Sequence, residues 1–181
     1  MKLKKRKAID IDGHLHLLTF TVYRRVAALE DRRCAQLFVE SLARAREELG
    51  FKLLAYVVMP EHVHLLLQPK PGCRVAQILR AIKQPASNRI LRYLKETRPT
   101  YSQRFLMISA DGKESHRFWQ AGGGHDRNVV SDAVLRYSLD YIHCNPIRRG
   151  LCTFIHQWEF SSALAYCDEE GEPPISVDWL D

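Results

Sequence analysis

None of the five cysteines, Cys34, Cys73, Cys144, Cys152 and Cys167, forms a C-x-x-C pair with another. An odd, scattered set of this kind is neither a disulfide framework nor a zinc ribbon, and reads as reduced thiols in or near a core. The sequence also lacks any uninterrupted apolar run approaching the ~20 residues of a membrane span. Its start, MKLKKRKAIDIDG, is basic but leads into no apolar stretch of signal-peptide type, so a cytoplasmic location is expected. Internal repeats and low-complexity linkers are missing as well. With 181 residues, 46% of them hydrophobic, the chain is expected to form one domain. Its core would span about 14–166, between a basic leader at 1–13 and an acidic tail at 167–181.

That tail contains no lysine or arginine and carries six acids: Asp168, Glu169, Glu170, Glu172, Asp178 and Asp181. The net charge of +6 therefore conceals 27 basic against 15 acidic residues, a net +12, on residues 1–166. Such an excess fits either a polyanionic partner, whose counterions Lys and Arg release, or a generic solvated surface. The tail would then shield the basic surface or remain disordered.

Residues 14–25, HLHLLTFTVYRR, read as a first strand whose polar exit, Arg24-Arg25, is a candidate phosphate contact. Residues 31–49 have the apolar spacing of an amphipathic helix, stopped by Gly50. FKLLAYVVM and HVHLLLQP read as two antiparallel strands turned at Pro60-Glu61. A second helix is expected over 74–95, kinked or broken at Pro85. Within 98–117, YSQRFLMIS is compatible with a strand and SADGKES with a loop. The run Gly122–Gly124 suggests a loop or a tight backbone approach, and lacks P-loop spacing. Ser131–Ile142 read as a third helix, capped by Ser131 or Asp132. The order β-α-β-β-α-β predicts an α+β fold of ferredoxin-like type: an antiparallel sheet with helices packed on it, plus a C-terminal extension.

Two features carry chemistry. In MPEHVHLLLQP, His62 and His64 stand two apart on a strand, so both imidazoles point to one face while Val63 turns to the other. Imidazoles so placed are able to share a metal, and suit Mn, Zn, Ni or Fe better than Mg. They are equally compatible with ordinary strand histidines, and His14-Leu-His16 has the same spacing. In LRYSLDYIHCNPIRRGL, Tyr137, Tyr141 and Asn145 lie four apart and form a polar helix stripe, with Leu135, Leu139 and Ile142 toward the core. Asn145 precedes Pro146 and is biased out of helix, and Arg148 and Arg149 follow near enough to meet an anion. A phenol of pKa near ~10 is a poor nucleophile unaided. Beside a metal that polarises a phosphate it would form a covalent phosphotyrosyl enzyme. The alternative is a pair of aromatics whose hydroxyls merely reach the surface.

VVMPEHVHLLLQP, HRFWQAGGGHDRN, YSLDYIHCNPIRRGLC and WEFSSA, in that order, resemble the REP-associated tyrosine transposases. These are the single-tyrosine branch of the His-hydrophobic-His endonucleases. The likeness covers roughly residues 14–166. It implies a ferredoxin-like domain that nicks and rejoins single-stranded DNA beside hairpins. By the same resemblance His62, His64 and Asn145 would hold a divalent metal ion, Mg2+ or Mn2+, and Tyr141 would be the nucleophile, with Tyr137 as the other candidate. No metal role transfers to His14 or His16. The segment 98–115 departs from the pattern in being longer than many relatives carry.

The implied partner is single-stranded or hairpin DNA, without a membrane, bound by a monomer or a homodimer. Arg24, Arg25, Arg148 and Arg149 would grip the strand, and Trp119 would stack a base. Two other functions compete. A non-catalytic single-stranded nucleic-acid-binding module would use the same fold, although the aromatic strand motif of RNA-recognition domains is missing. A zinc hydrolase using His62, His64 and Glu61 as base leaves the tyrosine helix unexplained.

Overall fold

The computed structural model describes residues 11–122 and 124–180; residues 1–10, which make up most of the basic leader, lie outside the described residues. Strand β1 spans Leu15–Thr21 and stops earlier than its composition predicts. Arg24 and Arg25 both take φ 54°, a left-handed conformation that ends extended backbone and forms a short 3-10 turn. Helix α1, Arg32–Leu49, opens where the Asp31 carboxylate accepts the amides of Arg33 and Cys34, and closes at Gly50, φ 64°. Strands β2, Lys52–Met59, and β3, His62–Gln68, pair antiparallel across Pro60-Glu61.

Helix α2 runs unbroken over Val75–Thr97, so Pro85 does not divide it. The apolar stripe explains this: Ile78 and Ile82 before the proline, and Ala86, Ile90 and Leu94 after it, are all buried in one core. Burial at roughly 1.5–3 kcal/mol per large side chain outweighs one lost helix bond. The undecided segment 98–117 forms a turn of helix, α3 at Pro99–Ser102, then a hairpin of β4, Leu106–Ile108, and β5, Glu114–His116. Strand β6, His125–Val129, and helix α4, Asp132–His143, follow, the latter capped by the Ser131 hydroxyl. Helix α5, Asn145–Arg148, is a single turn. Asn145 thus opens a second helix, with Pro146 in the first turn, where its missing N–H costs nothing.

The sheet order is β2-β3-β1-β6, every neighbouring pair antiparallel. With α1 and α2 on one face this is the expected ferredoxin-like α+β arrangement, with the β4–β5 hairpin inserted before β6. Leu18, Phe20, Val63 and Leu65 face α1 and α2, where Phe20, Phe38, Phe118 and Trp119 interlock edge to face. Trp119 is therefore core and not a base-stacking platform; its indole N–H donates to the Lys83 carbonyl at 3.0 Å. Replacing Phe38 by Ala is expected to cost about 3–5 kcal/mol.

On the opposite face Leu15, Leu17, Val57 and Leu66 pack with Ile142 of α4. Burial on both faces is why β3 reads as a nearly continuous apolar run. The C-terminal chain covers the outer edge of β2: Val58 N–H donates to Phe160, Ser162 N–H to Tyr56 and Asp178 N–H to Leu53. The Asp178 carboxylate also accepts from Leu53 N–H at 2.7 Å and pairs with Arg46 at 2.6 Å. The acidic tail is thus docked through residues 175–178 and not a free strap.

Candidate active site

The register of the sheet places His64 between Thr19 of β1 and Val57 of β2, with His62 one step along toward the turn. Both lie on the α4 face, Val63 on the other. Their rings meet edge to face, centroids 4.7 Å apart, and the two Nε2 atoms are 3.0 Å from each other. His64 Nδ1 lies 2.7 Å from the Thr19 hydroxyl, and the Asn145 Nδ2 atom is 3.2 Å from His64 Nε2. The consistent proton assignment has His64 donating from Nδ1 to Thr19 and accepting at Nε2 from Asn145.

That assignment leaves His62 in conflict. Protonated at Nε2, it satisfies His64 but turns a bare Nδ1 toward the Glu61 carboxylate oxygen 3.3 Å away. Protonated at Nδ1, it opposes two lone pairs across 3.0 Å. The Nδ1 atom is buried and makes no well-aligned hydrogen bond. The doubly protonated way out is opposed by burial, which lowers the His62 pKa despite Glu61, and pushes that of His64 down to about 3 with help from the His62 charge. A divalent cation removes the conflict. Two Nε2 lone pairs 3.0 Å apart suit one ion at the usual ~2.0–2.1 Å. After a half-turn the Asn145 carboxamide offers oxygen where it now offers nitrogen. The residues present fit a metal held by two imidazoles and an amide. Among the described residues no three His, Cys, Asp or Glu side chains are grouped to hold one.

The Tyr141 ring packs edge to face with His64, centroids 5.1 Å apart, and the Arg148 guanidinium lies over the Tyr141 ring, 5.6 Å from its centroid. Tyr137, 56% exposed, stacks on Tyr141 from one helical turn away. Asn145 reaches His64 because α5 continues directly from α4. Of the sequence-predicted stripe, Tyr141 and Asn145 thus meet His64, while Tyr137 backs Tyr141 from outside.

The arginines divide. Arg25 and Arg149 donate to the same oxygen of Glu61, at 3.2 and 2.8 Å. Arg24 instead lies over its neighbour Tyr23 at 5.0 Å. Burial pushes the Glu61 carboxyl up, but Arg149 and the charge of His62 outweigh it and hold the group below its ordinary value. A carboxylate so engaged is poorly placed to act as a hydrolytic base.

Sequence reasoning missed Thr19, whose role depends on strand pairing. It also missed His143, whose Nε2 lies 2.8 Å from the Ser162 hydroxyl and ties α4 to the FSSA segment. The helical offset of His143 from Tyr141 was a usable signal, since two residues on a helix point nearly opposite ways. Gly124 was legible: a Cβ there would lie 2.1 Å from the Thr19 carbonyl oxygen, the tight approach its glycine run suggested.

A ferredoxin-like sheet carrying a histidine pair beneath a tyrosine helix defines the class. The chain belongs to the family described as Transposase IS200 like, whose model matches residues 11–120. That match contains His62 and His64 but ends before Tyr141 and Asn145. A protein from Haemophilus influenzae with the provisional name REP-associated tyrosine transposase is 26% identical over 120 residues, 64% of this chain. The match spans about three fifths of that relative's length, 61%. A solved REP-associated tyrosine transposase bound to a REP hairpin shares the fold, with a TM-score of 0.69 at 20% identity, over 90% of this chain and 84% of that one. Among the described residues, no helix is long and apolar enough to cross a membrane.

Proposed function

We propose that this protein nicks and rejoins single-stranded DNA beside hairpins or repeats through a 5′-phosphotyrosine on Tyr141. The observation that carries this reading is the Tyr141 ring against His64, with Asn145 on the same imidazole and Arg148 over the phenol ring. Arg24, Arg25, Arg148 and Arg149 grip the strand backbone. A divalent ion, Mg2+ or Mn2+, held by His62, His64 and Asn145 would polarise the scissile phosphate. The Tyr141 oxygen bonds to phosphorus as the bond from phosphorus to the 3′ oxygen breaks; the phenol loses its proton and the leaving oxygen becomes a 3′ hydroxyl. Rejoining reverses this with a different 3′ hydroxyl, and Tyr141 departs. One phosphoester replaces another at each step, so no energy cofactor is needed.

Residues 14–166 form the catalytic unit of a single domain in this reading, working as a monomer or a homodimer in the cytoplasm. A purely binding module of the RNA-recognition kind is less well supported, because the sheet face such modules open to bases is covered here by α4. Labelled hairpin oligonucleotides incubated with Mg2+ or Mn2+ and separated in denaturing detergent test the proposal. A metal-dependent covalent band is expected, reduced on the order of 10^3-fold or more by Tyr141→Phe with DNA binding retained. An undiminished band from that variant moves the nucleophile to Tyr137 or ends the mechanism.

A further inference from the structure

Glu61 is 5% exposed, unusual for a carboxylate unless it is well paired. One of its oxygens, Oε1, gathers Arg25 at 3.2 Å, Arg149 at 2.8 Å and the His62 Nδ1 atom at 3.3 Å. These groups come from three separate parts of the chain. Arg25 sits in the turn after β1, in a left-handed backbone conformation that an arginine keeps only when its surroundings enforce it. Arg149 caps the C-terminal end of α5, its N–H shared between the carbonyls of Asn145 and Pro146, which ties its backbone to that of Asn145. The Glu61 backbone carbonyl accepts from Val22 N–H at 2.9 Å, which draws the turn after β1 toward the β2–β3 turn.

Resting on the function proposed above, we propose that Glu61 is the positioning residue of the site: it anchors α5, and with it Asn145, beside His62 and His64, and holds Arg25 and Arg149 together on the rim as a paired phosphate grip. Single guanidiniums on flexible stems lose entropy when they meet a phosphate, and two already held by one oxygen lose less. Both arginines remain accessible, with side chains 68% and 47% exposed. The remaining N–H groups of each are left for a ligand, while the buried carboxylate stays behind them.

A simple charge argument gives the opposite prediction, which makes the idea testable. Glu61→Gln removes a negative charge near the DNA path, so charge alone predicts tighter DNA binding. Positioning predicts weaker binding. Glu61→Asp keeps the charge but shortens the reach, so charge alone predicts native behaviour and positioning predicts loss. Full-length protein would be titrated by calorimetry with Mn2+ alone. Separately, in chelator, it would be titrated with a fluorescent hairpin oligonucleotide bearing a random single-stranded flank.

The expected result is a 10–100-fold loss of Mn2+ affinity in both variants, the range for partners that orient metal ligands, together with weaker metal-free DNA binding. Tighter DNA binding by Glu61→Gln with native values for Glu61→Asp overturns the proposal. Should Glu61→Gln fail to fold, checked by thermal melting, Glu61→Asp decides alone. His64→Ala is the control. If it keeps native Mn2+ affinity, the metal-site reading has failed; if it loses affinity while both Glu61 variants keep theirs, only the positioning role has.

Discussion

Two histidine pairs of identical spacing, His14-Leu-His16 at the start of β1 and His62-Val-His64 on the neighbouring β3, end in different environments. His16 lies on the α1–α2 side, fully buried, with its Nδ1 atom 2.9 Å from the Asp126 carboxylate. His14 turns to Asn128 at 3.4 Å. Each ring of the first pair therefore has its own partner on β6. The second pair lies on the α4 side, where its rings have each other, Thr19 and Asn145. A shared face brings two imidazoles near one another, but the neighbours decide whether their lone pairs diverge or converge. Asp126 and Asn128 each engage one ring of the first pair, and Tyr141 and Asn145 close over the second.

The comparison breaks most sharply in metal binding. Alanine at His62 or His64 is expected to weaken Mn2+ binding more than about 100-fold, beyond the loss typical of an orienting partner, while His14→Ala binds as the native protein does in calorimetry. Equal losses from all three would mean that spacing alone, and not convergence, makes the site. Thr19→Val should cost 10–100-fold in the same titration, since it removes the group that fixes His64 Nδ1. For the first pair the expected cost falls on folding. His16→Ala should lower stability in urea unfolding by about 1–3 kcal/mol, by removing a buried hydrogen bond, and leave Mn2+ affinity alone.

The smallest effect is in pH. Burial holds the folded pKa of His64 at about 3 and of His143 at about 4, against 6.5 for the free side chain. The unfolded chain therefore takes up protons first as the pH falls. The stability these groups contribute is full above 6.5 and is lost on acidification toward their folded values, roughly 1 kcal/mol each by about pH 5.5 without metal. His143→Asn should flatten that decline, and a metal-free urea series at several pH values measures it.

Much of the fold was legible along the chain because its signals are local. Gly50 stops α1, β-branched and aromatic residues mark β1, and Tyr137 and Tyr141 keep their stripe on α4 while Asn145 follows on α5. Pro85 misled because its cost is local whereas the apolar stripe on both sides of it is buried collectively. The early end of β1 was hidden for a related reason. Arg24 and Arg25 hold positive φ angles that no intrinsic preference of arginine favours, and Arg25 meets Glu61, thirty-six positions away. Trp119 looked available for stacking only because the sequence does not show which aromatics close over it.

By itself the sequence determined that His62 and His64 share a face, and that Tyr137 and Tyr141 share another, since both follow from the periods of strand and helix. Only the tertiary structure decided that the two faces meet, which arginines share Glu61, and that His14 and His16 each meet a residue of β6. Periodicity is a property of one element, while convergence depends on how the sheet register and the seat of α4 set separate elements against each other.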